Sequence, residues 1–325
     1  MRIAENTNFD IVRDSITRSK AKMDKLQLES ATLKKLNTPS DDPVGAAKVL
    51  EVRTEKVNND QFQANSKLAQ TFLENSDHAL SELSDIILRA KEIALGQSSG
   101  ASSNQETRLG VAEELAQLYE QSVATANRKV GDRYLFGGYK TQQPPVDADG
   151  RYHGDAGHMM VEIAHGVFIS MNVPGVEAFN TQPKSSSDAK HLYGEPKKGR
   201  DLASTPEEQK SHPENANVFS ELQNLRIALL TGDLDGIHAE LDRLDQVHAK
   251  LVAERAKAGS RLNGLQSAAQ AIERHNITNA QLTSTLEDAD MAKVMSELAK
   301  DESVYRSALA SSKNLIQPTL LEYLR

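Results

Sequence analysis

Counting from Phe9, apolar side chains return at alternating steps of three and four through Phe9, Val12, Ile16, Ser19, Met23, Leu26, Ser30 and Leu33. That repeat is the seam of a coiled-coil-like helix, thinned by two serines. The seam then meets Leu36-Asn-Thr-Pro-Ser-Asp-Asp-Pro-Val-Gly-Ala-Ala47. Asn37 and Pro39 are expected to stop the first helix. Ser40, Asp41 and Asp42 suit the N-terminal end of the next, where carboxylates meet free N–H groups and the positive end of the dipole, and Pro43 fits a first helical position.

A second seam runs from Val52 through Phe62, Ala69, Leu73, Leu80, Leu83, Ile87, Ala90 and Ala94, interrupted early by Glu55 and Asn59. It reaches a loop by composition at Gly96-Gln-Ser-Ser-Gly100-Ala-Ser-Ser. A third helix is expected from about Gln105 to about Arg128, carrying Leu109, Ala112, Leu115, Leu118 and Val123. The pattern then changes period. Met159, Val161 and Ile163, then Val167, Ile169, Met171 and Val173, alternate on either side of Ala164-His165-Gly166, which predicts a β-hairpin. Residues 180–217 hold almost no large apolar side chains and several prolines, and read as a mobile loop.

Helical spacing resumes at Val218, Leu222, Leu225 and Leu229, breaks at Thr231-Gly232-Asp233, and continues from Leu234 to Ile272. Beyond Leu286 the phase slips to a new stripe of Met291, Met295, Leu298, Tyr305, Leu309 and Ser312. The chain closes with Leu315, Ile316, Leu320, Leu321, Tyr323 and Leu324, an apolar tail costly to leave solvated. The expected fold is mainly α with a small β insertion: an elongated antiparallel helical bundle or coiled coil, with the termini together at one pole and the β module at the other. The expected divisions are a terminal coiled-coil region (1–40 and 280–325), a helical rod (41–135 and 218–279), and an inserted β-containing outer domain (136–217).

Composition narrows the function. Aromatic residues are 4% of the 325, with no Trp, which suits long helices with narrow seams better than a thick core. A formal net charge of -8 without a basic face disfavours nucleic acid. The absence of Cys removes disulfides, thiolate chemistry and Cys-bound metals. The start lacks the apolar core of a secretory leader, and no stretch approaches the length of a membrane span.

Candidate chemistry is sparse. Asp235/His238 and Asp245/His248 each place an acid and a His on one helical face, as bundle di-metal sites do. Both pairs lie on one segment, whereas such a site draws ligands from several helices. His153, Asp155, His158 and His165 gather in the β module without a ligand spacing of known type. Asn276-Ile-Thr278 fits a glycosylation pattern inside an expected helix. Neither Gly-rich run supplies a phosphate loop. No catalytic, cofactor or metal site is expected.

Four separated stretches carry a resemblance: MRIAENTNF, LNTPSDDPVGAAKVLEVR, NRKVGDRYLFGGYKTQQPP, and LEDADMAKVMSELAK with LASSKNLIQPTLLEYLR. In this order they resemble the flagellin superfamily, and more closely the flagellar hook-associated protein 3 family. The resemblance implies an extracellular structural subunit at the hook–filament junction, exported unfolded by the flagellar type III pathway. It implies ring assembly with copies of itself through the terminal helices. It further implies contact with a second hook-associated junction protein and with flagellin, and an export chaperone bound at the C-terminal segment. The assembly residues would be Phe9, Val12, Ile16, Met23, Leu26, Leu33, Leu298, Tyr305, Leu309, Leu315, Ile316, Leu320, Leu321 and Leu324. Similar proteins bend between an inner, tube-lining layer and an outer bundle, and Pro39 to Pro43 would be that bend. Flagellin itself, and more remotely a metal-dependent helical enzyme using His238 and His248, stand as alternatives.

Overall fold

The computed structural model of the chain describes residues 2–98, 105–179 and 217–316, with side chains from 10 to 312 within those ranges. Helix dominates: α1 (Arg2–Thr32), α2 (Pro43–Ser98), α3 (Gln105–Ala126), α4 (Gly175–Phe179), α5 (Val218–Thr231), α6 (Leu234–Glu287) and α7 (Met291–Ile316). Two antiparallel hairpins, β1 (Lys129–Val130) with β2 (Arg133–Tyr134) and β3 (Met160–Ala164) with β4 (Val167–Ser170), supply the strands. Packing divides the chain into residues 1–60 with 273–325, and residues 61–272.

In the first unit α1 packs along α7 in antiparallel sense. On α1 the protected positions are Val12, Ile16, Ser19, Met23, Leu26 and Ser30, which follow the heptad read from the sequence, together with Glu29. On α7 they are Met291, Val294, Glu297, Leu298, Asp301, Tyr305, Ala308 and Ser312. This register differs from the expected stripe: Met295 and Leu309 are exposed, and Val294 and Asp301 take seam positions in their place. The seam admits a charge because Lys22 Nζ of α1 lies 2.8 Å from Asp301 Oδ2. Beside it, α2 meets α6 through polar pairs: Asn59 Nδ2 donates to Asn276 Oδ1 at 2.9 Å, and Glu55 accepts from Asn279 Nδ2 at 3.1 Å and lies 2.6 Å from His275 Nε2. The residues that interrupted the second seam thus form its polar contacts, and Asn276 is used inside the helix pair.

The second unit holds the thick core. Leu73, Leu80, Leu83, Ile87 and Ala90 of α2 pack with Leu115 of α3, Leu222, Leu225 and Leu229 of α5, and Leu244 and Leu251 of α6. Asn217 caps α5 by accepting from Phe219 N, and Gly232 ends it at φ 71°, a left-handed conformation glycine adopts without a Cβ clash. The β segment is not a separate body: Phe136, Phe179 and Phe219 stack edge to face at 5.0 and 5.4 Å, joining it to α5 in one core. In the β3–β4 hairpin, Ala164 pairs with Val167 around His165-Gly166, with Gly166 at φ 72°. The β1–β2 hairpin and α4 were not expected from the sequence, being too short to show a period. The expected mobile loop of 180–217 lies, Asn217 apart, outside the described residues.

Candidate assembly site at the helix corner

The connection from α1 to α2 begins earlier than the prolines suggest. α1 ends at Thr32, and Leu33 turns the chain with φ 60°. Leu33 therefore leaves the heptad and stands exposed, a correction to the seam read from the sequence. Its carbonyl accepts from Ala289 N at 3.0 Å, and Lys35 N donates to Glu287 O at 2.8 Å. These bonds tie the α1–α2 connection to the one between α6 and α7, with Lys34 and Asp288 paired as an isolated bridge.

Side chains fix the double corner. Glu287, buried at the end of α6, takes Lys34 Nζ and Arg53 Nη2 on one oxygen, each at 2.6 Å. Burial alone would raise its pKa, but the hydrogen bonds and charges of Lys34 and Arg53 outweigh that and hold it low. Asp41 receives Lys25 Nζ of α1 at 2.8 Å and the backbone N–H of Thr38 at 2.9 Å. The Lys25 bond foremost, then the Thr38 amide, keeps that carboxyl well below the usual carboxylate range. Asp42 is the cap of α2: its Oδ1 accepts from Val44 N at 3.1 Å and Gly45 N at 3.0 Å. Pro43 is the first helical residue, where its missing N–H costs nothing. Pro39 and Ser40 are exposed, with Ser40 Oγ 2.9 Å from Thr38 Oγ1. Asp290 repeats the capping on α7, accepting from Ala292 N at 3.0 Å and Lys293 N at 3.3 Å.

The expected assembly residues are distributed unevenly. Leu26 is buried in the α1–α7 seam, and Val12, Ile16, Met23, Leu298 and Tyr305 are half-buried there, whereas Leu309 faces outward. Phe9, Leu315 and Ile316 belong to helices whose side chains at those positions are outside the described residues, as are Leu320, Leu321 and Leu324 entirely. Sequence reasoning missed Lys25, Lys34, Arg53 and Glu287, which hold the corner between residues separated in the chain, and Gly45, whose N–H meets Asp42 three residues before it. Asp301 carried a signal, a charge at a heptad position, that only its partner explains.

Among the described residues the histidines do not converge on a common site. His238 is exposed, and His248, half-buried, lies on the same helix. His153 Nε2 pairs with Asp147 at 2.9 Å, His158 Nε2 with Glu177 at 3.1 Å, and His165 sits exposed at the hairpin tip. His158 Nδ1 also lies 3.3 Å from Ser170 Oγ, whose hydroxyl donates to Asn172 O at 3.0 Å. Among the described residues no group of three or more His, Asp or Glu could hold a metal ion, and no helix is long and apolar enough to cross a membrane. The carboxylates of the corner are engaged as caps and ion pairs, an arrangement that fixes geometry.

Comparison with known proteins bears on what that geometry serves. The bacterial flagellin N-terminal helical region matches residues 3–141. Flagellar hook-associated protein 3 of Salmonella typhimurium is 27% identical over 202 residues, 59% of this chain and 63% of that protein, so the match spans just under two thirds of the relative. Flagellar hook-associated protein 3 of Escherichia coli is 23% identical over 320 residues, 95% of each chain. The crystal structure of the flagellar junction protein FlgL from Legionella pneumophila shares the fold with a TM-score of 0.54 at 17% identity, over 74% of this chain and 100% of that one. Each of these relatives is named as a flagellar protein. The chain is thus similar to the bacterial flagellin N-terminal helical region over residues 3–141 and to flagellar hook-associated protein 3 over nearly its whole length.

Proposed function

We propose that this protein is a structural, non-catalytic subunit of the bacterial flagellum that forms the junction between hook and filament, assembling with its own copies into a ring through α1 and α7. The observation that carries the reading is the heptad pairing of the two terminal helices. Among the described residues that pairing buries only Leu26 and Val294 as apolar side chains, and it leaves Ile11, Leu28, Met295, Val304 and Leu309 exposed. A seam this thin stabilises a helix pair little, so neighbouring subunits supply the remaining burial. The corner holds the terminal pair to the start of α2 with caps and ion pairs, as a bend between two layers requires. A second hook-associated protein, flagellin, and an export chaperone on the C-terminal segment are the further partners of this reading, with type III export to the cell exterior.

Flagellin is the second reading, favoured by the shared N-terminal helical region. Immunogold electron microscopy of sheared flagella, with an antibody raised against the purified chain and absorbed against flagellin, separates the two. One labelled band where hook meets filament is the expected result. Label along the whole filament makes the protein a filament subunit, and unlabelled flagella from cells that contain the protein overturn both.

A further inference from the structure

Glu221 on α5 and Glu240 on α6 lie in the interior of the 61–272 unit, 5% and 6% exposed. One cation serves both: Arg243 Nη1, one turn along α6, stands 3.1 Å from Glu240 Oε1 and 3.5 Å from Glu221 Oε2. Asn224 Nδ2 approaches Glu221 Oε2 at 3.4 Å. Glu240 Oε2 is buried with no hydrogen-bond partner. Of the cations on the neighbouring helices, Lys91 of α2 pairs with Asp245, and Arg108 of α3 lies beside Gly232.

Two carboxylates and one guanidinium leave one negative charge in excess where water scarcely reaches. A proton shared between the carboxyls removes that charge and turns the orphaned oxygen into a donor. We propose that this pair holds one proton at neutral pH, and that its loss in mildly alkaline solution loosens α5 from α6, making the joint a pH-sensitive catch. The proposal stands apart from the flagellar reading and survives its failure.

Burial first, then the hydrogen bond and repulsion from Glu221, push Glu240 up to about 8, with Arg243 opposing. The unfolded chain releases the same proton in the ordinary glutamate range, about 4.3. Between those values the folded state binds more protons. The stabilisation is therefore complete below the unfolded value and is lost as pH rises through the folded one. The carboxyls titrate as a pair, so the proton belongs to both.

Thermal unfolding of the full chain from pH 6 to pH 9 tests this. In the unaltered protein the midpoint of the transition of the 61–272 unit falls over that range, and the fall is at least halved in Glu240→Gln, whose amide donates to Glu221 at every pH. Equal slopes in the two proteins overturn the proposal. Should Glu240→Gln fold poorly, hydrogen exchange of the unaltered chain decides. After correction for intrinsic rates, protection across 218–231 drops between pH 6 and pH 9 relative to 109–123, and unchanged relative protection overturns the idea.

Discussion

Gly45 shows how closely the corner is built. A Cβ at this position would lie 2.5 Å from Asp42 Oδ2 and 3.2 Å from Leu36 Cδ1. Alanine in place of glycine within a helix ordinarily stabilises by about 0.5–1 kcal/mol. Here it displaces the side chain that caps α2, a contact worth about 1 kcal/mol. Gly45→Ala is expected to lower the urea midpoint of the transition that α1 and α7 report, and a higher midpoint would show that Asp42 gives way at no cost. The same residue-scale logic explains why Pro43 is tolerated and why Leu33 is exposed: each follows from local backbone geometry.

At the scale of elements, the α1–α7 pair is set by one charge. Asp301 occupies a seam position otherwise held by Met291, Val294, Leu298, Tyr305 and Ala308, and Lys22 answers it from α1. A polar pair in such a seam fixes register at a cost in stability, since a hydrophobic side chain of similar volume packs there without desolvating a carboxylate. Asp301→Leu is expected to slow hydrogen exchange in residues 12–30. Faster exchange there would mean that the ion pair stabilises the helices more than a leucine contact does. The polar pairs of Glu55 and Asn59 across to α6 have the same character, which explains why the second seam is interrupted where it is.

At the scale of the whole molecule, the core is unequally shared. Among the described residues, Leu26, Val49, Val52 and Val294 are the buried apolar side chains of the 1–60 and 273–325 unit, whereas the 61–272 unit holds the large continuous cluster. Apolar burial is the main favourable term in folding, so the two units differ in stability and two-state behaviour is not expected. Hydrogen exchange in rising denaturant should release α1 and α7 well before the α2 segment from Ala69 to Ala94 and α5. A single concerted loss of protection would contradict that inequality.

Periodicity and capping chemistry lie in consecutive residues, and so the sequence already showed α1 as a heptad helix, Asp42-Pro43 as a helix start, Gly232 as a break and the β3–β4 hairpin. It also placed the chain near the flagellin superfamily, because four motifs occur in order. Glu287 with Lys34 and Arg53, Lys22 with Asp301, and the facing Glu221 and Glu240 were settled only on folding. Each joins residues of different elements, and whether a charge is a solvated surface group or a buried partner depends on what the other element brings within about 3 Å of it. The register of α7 belongs with these, since Asp301 could enter the seam only where Lys22 was there to meet it.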